Sequence, residues 1–238
     1  FLNCYFANSN TNNLFKQLTT NKNTDFSRYN YFYASYAADF GNIDEAKKIV
    51  QSALILFPRN LLLNQYKMDL NKSKNISAFN CKKEIHIIAE ILYITANALS
   101  SQSAYSLSNF YLNLAKYLNE EFHSFDTLLA ENFYKIDNLE KAKKIYKGLN
   151  KRGEAYKWYS TKQLARILAQ EEKENEAIKL VSKVYEGLVN KNIYEEFDYA
   201  EFLKNNEKFQ ESINYYTLII KNIKSDHPLY SEATEGRG

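Results

Sequence analysis

The sequence predicts an all-α fold, an array of stacked antiparallel helical hairpins, on three observations. A bulky residue followed by a small one recurs at Leu129-Ala130, Leu164-Ala165 and Tyr199-Ala200, 35 residues apart, and Ala142, Ala177 and Ser212 follow at the same interval. A fixed period of that length marks stacked helical hairpins rather than a single globular core. With only 6 Gly and 2 Pro in 238 residues, few positions suit unusual backbone geometry, which favours long helices over a loop-rich or all-β chain.

The first residues, Phe1 to Ser9, run from apolar to abruptly polar, as the tail of an export signal cleaved after Ala7 would. Asn8 to Asp25 reads as a linker rich in Asn, Thr and Lys, with at most a short helix around Leu14 to Leu18. Residues 1–26 are thus expected to form a polar N-terminal segment. The first repeat unit, 27–60, puts Tyr33-Ala34 in one helix, Gly41-Asn42 at a turn, Ala46, Val50 and Ala53 in a second helix, and Pro58 at its end. Ala34, Ala46 and Ala53 are small where two helices approach closely, and Gly41 can take the positive φ that closes the first. Asp44-Glu45 place negative charge in the first turn of the second helix. Residues 61–88 break the register: Leu61 to Leu70 forms one helix and Asn71 to Asn80 a polar loop. Four contiguous units then fill 89–227, starting near Ala89, His123, Trp158 and Ile193, and residues 228–238 begin a further, truncated one.

Small residues at the eighth, twentieth and twenty-seventh positions with Pro at the thirty-second resemble the tetratricopeptide repeat, and Ala34, Ala46, Ala53 and Pro58 match all four. The later units lack the terminal Pro, and two place Leu149 and Ile219 where Ala is usual. The resemblance implies a right-handed superhelical α-solenoid. From Ile85 to Gly238 the chain is also similar to exported multi-repeat proteins of this family from alphaproteobacteria, through Ile87-Ile88-Ala89-Glu90-Ile91-Leu92-Tyr93 and the closing Glu235-Gly236-Arg237-Gly238. That similarity implies a periplasmic or outer-membrane-associated location, with a cytoplasmic one as the alternative.

The chemistry that would mark an enzyme is missing from the sequence. It has no Gly-rich phosphate loop, HExxH or GxSxG, and none of His86, His123 and His227 has a second ligand type at i+3 or i+4 forming a plausible metal face. Cys4 and Cys81 stand far apart, outside any CxxC, and read as buried or incidental thiols. Glu171-Glu172 and Glu195-Glu196 read as solvated helix-end charges. A net charge of +3 from 31 basic and 28 acidic residues gives no broad basic face for nucleic acid. No cofactor, metal or small-molecule substrate is expected, and no run is apolar and long enough to span a bilayer.

The tetratricopeptide resemblance implies that the second, fifth, ninth and twelfth residues of each first helix face a groove. The expected partner-binding residues are Tyr93, Asn97, Glu131, Tyr159, Lys162, Arg166, Tyr194, Phe197 and Glu201. Aromatic anchors beside both charge signs suit a peptide or a partner helix. The function expected is a non-enzymatic protein-interaction scaffold. The alternative is a structural spacer in a longer chain, whose groove would be filled by its own segments, with Leu61 to Asn80 the nearest candidate.

Overall fold

The computed structural model describes residues 1–20, 27–72, 78–189 and 191–238. Among them there are helices and no strands, so the all-α expectation holds. The expected N-terminal segment and the Asn71–Asn80 loop each fall partly outside the described residues. The chain divides into two compact units, Phe1–Lys157 and Trp158–Gly238.

The first unit opens with α1 (Leu2–Tyr5) and α2 (Thr11–Thr20), followed by a hairpin of α3 (Ser27–Asp39) and α4 (Ile43–Leu56). After α5 (Leu61–Asn71) come two more hairpins, α6 (Glu84–Ser101) with α7 (Tyr105–Leu118) and α8 (Ser124–Lys135) with α9 (Leu139–Leu149). The helix α10 (Glu154–Gln170) starts in the first unit and continues into the second. There it shares a core with α11 (Glu174–Glu186): Ala165 packs with Ala177 and Val181. The hairpin of α12 (Ile193–Asn205) and α13 (Phe209–Asn222) follows, then α14 (Leu229–Arg237).

One turn repeats between the paired helices. Gly41, Ser103, Asp137, Glu172 and Glu207 all have positive φ, from +59° to +78°, and the last four are 34, 35 and 35 residues apart. Each begins a Schellman motif. Glu172 N–H bonds Ala169 O at 3.0 Å while Lys173 N–H bonds Leu168 O at 2.9 Å, and Glu207 and Lys208 do the same with Lys204 and Leu203. Glycine carries this conformation without strain at Gly41, but four of the five positions hold L-residues, for which it costs about 1–2 kcal/mol. Glu172→Gly and Glu207→Gly are each therefore expected to raise stability by about 0.5–1 kcal/mol, after the extra chain entropy of glycine is set against the relieved strain. Denaturant midpoints check this, and a loss of stability in both variants would show that the turn is not strained.

The small register positions are where the helices meet. Ala34, Ala46, Ala96, Ala115, Ala130, Ala142 and Ala200 are fully buried. Where the second helix carries Ser instead of Ala, its hydroxyl donates to the carbonyl of the small residue opposite: Ser108 Oγ to Ala96 O at 2.7 Å and Ser212 Oγ to Ala200 O at 2.9 Å. A buried hydroxyl is thus satisfied without widening the helix contact.

In the N-terminal segment, partly buried Phe1 packs edge-on against Phe32 with ring centroids 5.0 Å apart, and buried Phe15 of α2 stacks on Tyr33 at 5.6 Å. Two expectations are corrected. Cys4 and Cys81 are not incidental thiols but a disulfide, with Cα atoms 5.8 Å apart. Glu195 is no solvated charge: it is buried in a capping box, accepting from Asn192 N–H at 2.9 Å while Asn192 Oδ1 accepts from Glu195 N–H at 3.0 Å.

Candidate partner-binding site

In the first unit the second register position of three consecutive first helices converges on one polar node. Arg28 of α3 forms a bidentate pair with Glu90 of α6, 2.6 and 2.7 Å long, and donates to Ser124 Oγ of α8 at 2.5 Å. Its guanidinium lies 3.8 Å from the ring centroid of Tyr93 and 4.8 Å from that of Phe122. Burial works against the charged guanidinium, but the charge and hydrogen bonds of Glu90, together with Tyr93 and Tyr156, hold Arg28 above its ordinary pKa. Arg28 escaped the sequence reading because the groove register was applied only from Ala89 onward. Counted from Ser27, it gives Arg28, Tyr31, Ser35 and Ala38.

Tyr31, Ser35 and Ala38 are buried, and the first two touch residues of the 61–88 stretch that breaks the register. Tyr66 of α5 meets the Tyr31 ring edge-on at 4.9 Å, and Ser35 Oγ donates to Phe79 O at 3.1 Å. Asn119 Nδ2 of the α7–α8 connection donates to Ala78 O at 2.8 Å. The α5 helix is also tied to the start of α10: Gln65 Oε1 accepts from Ala155 N–H at 3.2 Å, and Gln65 Nε2 donates to Asp69 at 3.0 Å. Gly153 has positive φ there, and a β-carbon on it would collide with that carboxamide. In the first repeat, then, two of the positions that the register assigns to a groove, Tyr31 and Ser35, are in contact with the chain's own Tyr66 and Phe79.

Between this stretch and the ends of α8 and α10 remains a cavity of about 350 Å³, lined by Tyr31, Gln65, Tyr66, Phe122, His123 and Tyr156, with Lys151 and Arg152 at its edge. Burial raises the pKa of all three phenols, so they stay neutral. Elsewhere in the first unit, Asn97 is exposed and Glu131 half-buried. Behind Glu131, Asn132 donates to Ser108 Oγ at 2.8 Å and to Asn109 Oδ1 at 2.9 Å, while its own Oδ1 accepts from Ser100 Oγ at 2.6 Å.

The remaining expected groove residues belong to the second unit. Lys162, one of the expected groove residues, is paired within the unit, because its ammonium donates to Asp198 of α12. Glu201 accepts from the Tyr216 hydroxyl and pairs with Lys204 at 3.3 Å. Phe197 is a core residue, packed edge-on against Tyr216 with centroids 5.8 Å apart, and so does not line an open surface. Arg166 is exposed on α10; Tyr159 and Tyr194 are half-buried, and the Tyr194 ring lies 5.8 Å from His227. Among the described residues no group of three His, Cys, Asp or Glu side chains is placed to hold a metal, and no helix is long and apolar enough to cross a membrane.

No family model and no curated protein matches the chain. It is similar to a solved structure described as the functional characterization of Pseudomonas aeruginosa PilF, with a TM-score of 0.38 and 14% identity over 88% of this chain and 96% of that one. A likeness this distant carries no inference, and the hairpin assignment rests on this chain's own turns and packing.

Proposed function

We propose that the chain is a non-catalytic scaffold that binds a peptide or helix of a partner protein on the second unit, through Tyr159, Lys162, Arg166, Tyr194 and Glu201. The observation that carries this reading is the pairing of α10 and α12 by Lys162 and Asp198, on first helices that also bear the exposed Arg166 and the half-buried Tyr159 and Tyr194. A fixed frame with aromatic and Arg side chains at its surface is the composition of an interface hot spot. Phe197 and Glu201 serve the frame through Tyr216. The Cys4–Cys81 bond supports a location in an oxidising compartment, such as the cell envelope.

The test compares proteins cross-linked to the chain in extracts of its source cells with those captured by Arg166→Glu and Tyr194→Ala. We expect specific capture to fall about 5- to 100-fold, the equivalent of about 1–3 kcal/mol, with helix content and melting temperature nearly unchanged. Undiminished capture by both variants would overturn the assignment. The spacer reading draws support from one observation, the contacts of buried Tyr31 and Ser35 with Tyr66 and Phe79. An absence of any specific capture by the parent chain would favour it.

A further inference from the structure

The hairpin of α6 and α7 leaves a large apolar face uncovered. On α7, Leu107, Phe110, Leu114 and Tyr117 are 39–80% exposed, while Ser108, Leu112 and Ala115 on the opposite side are buried against α6. Next to them on α6, Ile88, Ile91 and Ile94 are 46–54% exposed. The rest of the unit does not cover this stripe, because α8 packs along the flank of α7 that carries Asn109 and Lys116, bonded to Asn132 and Asp126. Solvent-exposed helix faces are ordinarily polar and charged. This one is neither: from Ile91 to Ala115 the chain has no Asp, Glu, Lys, Arg or His.

We propose that this face is the interface between two copies of the chain, with α7 packed antiparallel on α7 of the second copy. Three features select that occupant. First, the stripe on α7 has the 3-4-3 spacing of a coiled-coil seam, so its natural complement is another helix with the same repeat. Second, 3-4-3 reads the same from either end. An antiparallel copy of α7 sets Leu107 opposite Tyr117 of the second copy and Phe110 opposite Leu114 of the second copy, as a two-fold interface requires. Third, the exposed parts of these seven residues amount to roughly 700 Å², near the roughly 800 Å² that each partner contributes to a standard stable interface. The absence of charge agrees with this choice, since foreign partners are commonly selected by complementary charges and this face offers none. The inference is independent of the binding strip on the second unit.

Sedimentation equilibrium on the full chain tests it. The parent is expected to be a dimer at micromolar concentration. Phe110→Glu and Leu114→Lys are each expected to be monomeric with unchanged helical circular dichroism, because both positions face solvent in the single chain. An equimolar mixture of the two is expected to dimerise again, since the new Glu and Lys then face each other. If either variant loses helical signal, Tyr117→Lys, at the most exposed position, takes its place and is expected to be a folded monomer. A monomeric parent overturns the proposal: binding to phosphatidylcholine vesicles would then assign the face to a membrane, and no vesicle binding would assign it to another protein or to further chain. Dimers that survive in both single variants also overturn it, and failure of the mixture to dimerise overturns the antiparallel pairing.

Discussion

Glu90→Ala is expected to destabilise the first unit by about 3–5 kcal/mol, the cost of leaving a buried guanidinium without its carboxylate. The Glu90 side chain is 1% exposed and that of Arg28 19%, so water cannot replace the lost bidentate pair. Ser124 and the faces of Tyr93 and Phe122 would remain, none of them a counter-charge. Removing both charges should be far milder. Arg28→Met with Glu90→Leu is expected to recover most of the loss, because apolar groups of similar volume need no solvation. Denaturant midpoints of the single and double variants measure both effects. A loss under about 1 kcal/mol in Glu90→Ala would mean that Arg28 is solvated and the node is a surface ion pair.

Removing the disulfide has a comparable expected cost. Cys4 and Cys81 are separated by 77 residues, and restricting a loop of that length in the unfolded chain contributes about 4 kcal/mol in the chain-entropy description. Cys4→Ser or Cys81→Ser should lower stability by about that amount and abolish the effect of reductant on the parent's melting temperature. Equal melting temperatures for the parent with and without reductant would contradict the bond.

The repeat was legible because it rests on small residues at fixed spacing, where any larger side chain would push two helices apart. Ala130, Ala142, Ala165, Ala177 and Ala200 appear in the sequence at the interval that the turns at Ser103, Asp137, Glu172 and Glu207 show in the structure. The disulfide was not legible, since two cysteines 77 residues apart carry no motif and their pairing depends on long-range folding. At the N-terminus the short helix expected around Leu14 to Leu18 extends over Thr11–Thr20, where Phe15 packs against Tyr33 and Tyr36.

Register positions could be named from the sequence, but not their chemistry. Lys162 is one of those positions, and its carboxylate comes from Asp198, one position past the fifth of the next first helix, which no pattern of groove positions reveals. The helix Leu61–Asn71 is readable from its leucines, whereas its packing over Tyr31 depends on contacts remote in sequence, such as Gln65 with Ala155.

The Cys4–Cys81 bond also changes what a broken backbone means for this molecule. It encloses α2, α3, α4 and α5, the whole first hairpin and the helices on either side of it. A single protease cut anywhere between Cys4 and Cys81 therefore releases nothing, since the two pieces remain one covalent molecule until a reductant separates them. The first repeat can be nicked and still be held in register by its own core, whereas a cut after Cys81 has no such safeguard. Loss of the N-terminal repeat through a cut inside this loop thus requires reduction as well, whereas a cut after Cys81 releases it directly.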